Sequence, residues 1–251
     1  MSKLRITPIG TCRIHTPLRR AVSRYPIELD LRRNYGFVHT SDEALQLVRF
    51  LQGDKEFRPE VAPLVFRDAD LARFAAEDWQ PSDLHVVEIS SSNRVRSGAD
   101  AVQGNYLAHH FADFFASNER SRTFWAMVKK GHRADLVNYL REQASYRLLS
   151  AADRELLAGL AMERQSFKAI KADMEEIVER LGRDRVLFVT HVNATTPDEE
   201  LIPARDRLLL LLPLVMWFAA ALIAWSIVSR LLISALKKLE SAISDYQPGE
   251  S

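Results

Sequence analysis

Three short polar clusters carry most of the reactive side chains of this chain: Gly10-Thr11-Cys12-Arg13, Ser90-Ser91-Ser92-Asn93 and Thr190-His191-Val192-Asn193. Cys12 is the sole thiol of the 251 residues. At a strand-to-helix turn a thiol lies near helix N-terminal amides, which stabilise developing negative charge and can form an oxyanion hole. His191 can act as the base that takes the thiol proton. Thr11, Asn93 and Asn193 can donate to an oxyanion, and Gly10, Arg13 and Ser90 complete the substrate-binding set. A thiol, hydroxyls, amides and an imidazole are the ingredients of nucleophilic catalysis.

Each cluster follows a run that reads as a buried strand. Leu4 to Ile9 ends at Gly10, Leu84 to Ile89 (LHVVEI) ends at Ser90, and Arg185 to Val189 (RVLFV) ends at Thr190; Ile27 to Leu31 is a further strand. Helical patterns separate them. Arg13 to Arg24 is helix-compatible, and Thr40 with Glu43 forms a capping box ahead of Ala44, Leu47, Val48 and Leu51. Asp68 to Glu77 reads as a short helix, Gly104 to Leu160 as a chain of helices, and Met162 to Leu181 as a helix stopped by Gly182. Short apolar strands alternating with amphipathic helices predict an α/β domain with a parallel sheet. In such sheets ligands bind in the crevice at the carboxyl ends of the strands, where the three clusters fall.

Composition narrows the function. A net charge of +1 gives no electrostatic footing for nucleic acid, and one cysteine excludes an internal disulfide framework and suits a reducing compartment. The adjacent pair His109-His110 points apart on a helix and lacks a third ligand, so no metal is expected. His39 reads as a structural residue ahead of a helix, and His15, one turn beyond Cys12, as a solvated one. Arg13, Arg19 and Arg20 are placed to meet a phosphate or a coenzyme A tail, or to form a solvated helix face.

The far end of the sequence is different in character. Leu208 to Ser229 is 22 residues without a charge, long enough at about 1.5 Å per residue to cross a hydrocarbon core of about 30 Å. Residues 1–194 are thus expected as the α/β domain, 195–207 as a linker, 208–229 as a transmembrane helix and 230–251 as an amphipathic juxtamembrane helix and tail. No signal-peptide core opens the chain, so a single-pass membrane protein with a cytoplasmic N-terminal domain is expected.

The turn Ile9-Gly10-Thr11-Cys12-Arg13 resembles the Gly-Asp-Ser-Leu block of SGNH/GDSL-type hydrolases, with Cys12 in the place of the nucleophilic serine and Thr11 in that of the aspartate. It is closer still to relatives with Gly-Ser-Cys or Gly-Asn-Cys turns, the GSCFA family and capsular-polysaccharide acyltransferase-like proteins. LHVVEISSSN then occupies the place of the block whose Asn serves the oxyanion hole, with Asn93 the nearest match. The resemblance covers about residues 4 to 207 and implies a three-layer parallel sheet of the SGNH/flavodoxin-like kind. It implies an esterase or acyltransferase acting on a carbohydrate-type hydroxyl or ester, with no bound cofactor beyond coenzyme A as an acyl donor. The chain departs from the pattern in lacking an Asp-x-x-His block after its last strand. That implies a truncated sheet, with either a substitute histidine or an inactive domain. Residues 208 to 249 resemble the last transmembrane and linker helix of a bacterial sensor histidine kinase. This second resemblance implies a bilayer and a homodimer through the C-terminal helices, and keeps open a non-enzymatic membrane protein or a kinase fragment serving association or signalling.

Overall fold

The computed structural model describes residues 3–31, 36–66 and 79–190. The expected helix at 68–77, His191, Asn193, the linker and both C-terminal helices lie outside those residues. Among the described residues no helix is long and apolar enough to cross a membrane.

Four strands, β1 (Leu4–Ile9), β2 (Ile27–Leu29), β3 (Leu84–Glu88) and β7 (Val186–Val189), form a parallel sheet in the order β2-β1-β3-β7. All four expected strands are there, with β2 ending two residues early. Between β3 and β7 the chain adds an antiparallel sheet of β4 (Asn93–Ser97), β5 (Asp100–Val102) and β6 (Leu160–Arg164), in the order β5-β4-β6.

Ten helices are described. They are α1 (Cys12–Ala21), α2 (Ser41–Leu51), α3 (Ala62–Val65), α4 (Gly104–His110), α5 (Ala112–Phe115), α6 (Asn118–Lys130), α7 (Arg133–Glu142), α8 (Ala144–Arg147), α9 (Ala151–Ala158) and α10 (Phe167–Leu181). The helical stretch expected from Gly104 to Leu160 is therefore present, broken into six pieces.

One expectation is corrected. The segment from Met162 does not start a helix: Leu160 and Met162 pair with Ser97 and Val95 in β6, and helix α10 begins only at Phe167. Ser166 decides the boundary, because its hydroxyl accepts from the amide of Ala169 and so caps the helix. Phe167 is consequently not a core residue but is 54% exposed, whereas Ile170, Met174, Ile177 and Leu181 are buried as one stripe. The second sheet escaped the sequence reading because NRVRS and LAMER are short and charged.

Alternation along the strands sends side chains to two layers. Ile9 and Val87 join the main core with Ala44 and Val48 of α2 and Ile177 and Leu181 of α10. On the opposite face Ile6, Leu84, Val86 and Leu187 meet Ile14 and Leu18 of α1 around an open groove of about 730 Å³. From β1 the chain turns outward to β2, then returns on the far side of β1 as β3. The connections after β1 and β3 therefore diverge, and a crevice opens between their carboxyl ends.

Candidate active site at the carboxyl ends of β1 and β3

Ile9 pairs with Val87, which brings the next residues, Gly10 and Glu88, side by side. Their approach is too close for any side chain at position 10. A Cβ there would lie 2.5 Å from the Cβ of Glu88, and 2.8 Å from both its Oε2 and the Cδ1 of Ile14. Glycine is required here for space.

Thr11 then turns the chain into α1. Its backbone N–H and its hydroxyl both donate to Glu88 Oε2, at 2.7 Å each. Its Oγ1 accepts from the amide of Arg13 at 3.3 Å, and its carbonyl accepts from the amides of Ile14 and His15 at 3.2 Å. Thr11 is thus the N-cap of α1 while its hydroxyl hydrogen is committed to a buried carboxylate. Cys12 is the first residue of the helix, and its side chain is exposed. Arg13, beside it, is exposed and borders the groove over β1 and β3.

The end of β3 is tied to the loop before α2. The amides of Ser90 and Ser91 donate to the carbonyl of His39 at 2.8 and 2.9 Å, and the His39 ring places Nδ1 3.4 Å from Ser90 Oγ. The His39 amide donates in turn to Glu43 Oε2 at 2.6 Å. Glu43 belongs to the expected capping box, which is complete, with Thr40 as the N-cap of α2.

Two histidine rings sense Glu88. Burial holds the His39 ring below its ordinary value; Glu88 works against that and Arg13 adds to it. His15 is lowered first by burial and then by Arg19, again opposed by Glu88. Both rings are therefore neutral near pH 7. His15 is 5% exposed, so the solvated role read for it is replaced by a buried one. The helix turns it inward, toward Glu88.

Of the residues singled out from the sequence, Gly10, Thr11, Cys12, Arg13 and Ser90 come together at this crevice. Asn93 does not join them as an oxyanion donor: it opens β4 opposite Arg164 with an exposed side chain, and its amide donates to Ser91 Oγ at 3.0 Å. Sequence reasoning missed Glu88, and it did not foresee that His39 would tie down the end of β3. The signal for Glu88 was a lone carboxylate at the carboxyl end of an otherwise apolar strand, where burial demands donors. Among the described residues no group of three His, Cys, Asp or Glu side chains can hold a metal.

The chain matches the TviD N-terminal domain family over residues 4–213 and belongs to it. It is 38% identical over 204 residues to the "Vi polysaccharide biosynthesis protein TviD" of Salmonella typhi, a match that covers 81% of this chain and 24% of that protein. The chain thus spans about a quarter of the length of the curated relative it matches. No solved structure matches it.

Proposed function

We propose that this member of the TviD N-terminal domain family is an esterase or acyltransferase that acts on a hydroxyl or ester of a carbohydrate through a thioester on Cys12. One observation carries the reading. The only thiol in the chain is exposed on the first turn of α1, at the point where β1 and β3 part, on a turn locked to a buried carboxylate. A nucleophile that must meet substrate without losing its place calls for that combination of exposure and rigid backing.

The name of the relative supports the substrate class, since a polysaccharide biosynthesis protein has sugar hydroxyls to modify. The Gly-Thr-Cys turn and the strand order β2-β1-β3-β7 support an SGNH-like reading of the domain. In the reaction Sγ attacks the carbonyl carbon of an acyl donor, coenzyme A thioester or ester, and the donor's C–S or C–O bond breaks. Water or a sugar hydroxyl then attacks the thioester and Cys12 leaves as thiol. The segment 208–229 would hold this domain at a bilayer as a single span, with the domain on the cytoplasmic side and the C-terminal helices pairing two copies.

The test uses the full chain with p-nitrophenyl acetate and with acetyl-coenzyme A. Mass spectrometry should find an acetyl group on Cys12, and Cys12→Ala should lose both the adduct and the release of p-nitrophenolate. Release at the wild-type rate by Cys12→Ala, or no adduct on the wild-type chain with either donor, overturns the reading.

A further inference from the structure

Thioester formation on Cys12 requires a group that takes the thiol proton and later delivers one to the leaving atom. Among the described residues three side chains that could exchange that proton lie by the turn: Glu88, bonded to Thr11, and His15 and His39, whose rings feel the Glu88 charge. Glu88 is 1% exposed and its Oε2 already accepts two hydrogen bonds from Thr11. His15 is buried on the inner side of α1. His39 alone of the three is partly exposed, and it stands on the loop that closes over the end of β3.

We infer that His39 is the general base of this site, its Nε2 exchanging the proton of Cys12; the assignment rests on the reading of Cys12 as nucleophile.

The first support is how firmly His39 is held. Its carbonyl accepts from Ser90 and Ser91, its amide donates to Glu43, and its ring rests on Ser90. Four contacts from two elements fix one residue outside any helix or strand.

The second support is the tautomer. Ser90 has one hydroxyl hydrogen, and its Oγ lies 3.5 Å from the His39 carbonyl, to which it donates. The assignment uses the tautomer in which Nδ1 carries the ring hydrogen toward Ser90 Oγ, 3.4 Å away, and Nε2 keeps its lone pair. Nε2 is the nitrogen that can accept a proton.

The third support is the charge around the ring. Burial keeps it neutral and ready to accept; Glu88 at the end of β3 favours the imidazolium once the proton arrives, and Arg13 on α1 limits that gain. Glu43 of α2 touches the His39 backbone amide. With burial the largest of these influences, the ring is neutral when the thiol proton arrives.

The step balances as follows. The Sγ–H proton moves to Nε2 while the sulfur pair forms the C–S bond to the acyl carbon. The donor's C–O or C–S bond breaks, and the imidazolium gives its proton to the leaving oxygen or sulfur. In the second half the attacking hydroxyl gives its proton to Nε2, and the departing Cys12 sulfur takes it back.

The test measures single-turnover acylation of the full chain by p-nitrophenyl acetate as a function of pH, with and without added imidazole. His39→Ala should acylate about 100-fold more slowly or worse at neutral pH, lose the limb of the profile set by the histidine, and regain rate with imidazole. Ser90→Ala should show a smaller loss. If His39→Ala fails to fold, His39→Gln takes its place: its amide can still meet Ser90 but takes no proton. A His39 variant that acylates at the wild-type rate while Cys12→Ala does not, with the loss found in His191→Ala instead, overturns the assignment and leaves Cys12 standing. Acylation that survives Cys12→Ala overturns both.

Discussion

Glu43 and Glu88 are both buried carboxylates, 7% and 1% exposed, and both collect backbone amides through one oxygen. Their neighbourhoods differ. Glu43 Oε2 accepts from His39 and Thr40, four and three residues earlier in the chain, and from the side-chain amide of Gln103. That is a helix cap extended into the core, and burial pushes its carboxyl up to about 7. Glu88 instead receives Thr11 from 77 residues away, beside an exposed thiol, and its field reaches two histidine rings. Burial of a carboxylate thus does not mark a site. A carboxylate at the diverging ends of two adjacent strands is the better candidate, because the donors it gathers come from the turn that carries the exposed thiol.

The sharpest way to break this distinction is Gly10→Ala. The added methyl would fall on the Cβ of Glu88, which cannot swing away as a side-chain tip could. Overpacking of this kind typically costs about 1–3 kcal/mol, and here it also pries Thr11 from its carboxylate. A fall of several degrees in thermal midpoint and loss of Cys12 acylation are expected. A wild-type melt with wild-type acylation would show that the close approach of β1 and β3 has no bearing on the site.

Next come two single variants, one at each carboxylate. Glu43→Ala leaves two backbone amides and the Gln103 amide without their acceptor, and should lower stability by about 3 kcal/mol in denaturant titration. Glu88→Gln keeps an oxygen for Thr11 but removes the charge that His15 and His39 sense. Its stability should stay within about 1 kcal/mol of wild type while acylation falls about tenfold. Should the two variants lose stability alike and activity alike, the two carboxylates do the same job.

The same contrast explains what could be read from the sequence. LRITPI, LHVVEI and VLFV announce themselves as short runs rich in Leu, Ile and Val, each ending at polar residues, and Thr40 with Glu43 is a cap written within four residues. The Gly10-Thr11-Cys12 turn was legible for the same reason: its signal is local. NRVRS carries two arginines and LAMER ends in charge, so neither reads as a strand until each pairs with the other, from Ser97 with Leu160 to Asn93 with Arg164. Glu88 and His39 were hidden for a like cause. The contact between His39 and Ser90 spans 51 residues, and strand order alone brings them together. Local sequence places the thiol on its turn; topology brings Glu88 to that turn.

The smallest effect tests the claim that Glu43 belongs to the fold. Burial raises its carboxyl from an ordinary 4.5 to about 7, so the folded chain holds a proton that the unfolded chain releases. The stability this contributes is full below pH 4.5 and is lost as pH rises toward 7. His85 on β3 runs the other way. It is 1% exposed, and neither ring nitrogen finds a hydrogen-bond partner among the described residues. Burial first, then Arg185 and Arg5, lower its ring from 6.5 to about 4, against a raising pull from Asp30. Its contribution is full above pH 6.5 and is lost as pH falls toward 4. Between pH 4.5 and 6.5 the two slopes oppose each other, and each amounts to about 2 kcal/mol across the window. Measured against wild type, Glu43→Gln should gain stability as pH rises through that window, and His85→Leu should lose it. His15, His39 and Asp173 are common to all three chains and cancel in the differences. Parallel curves for the three chains would mean that neither group changes its protonation on folding, and Glu43 would then be a plain cap rather than a proton held by the core.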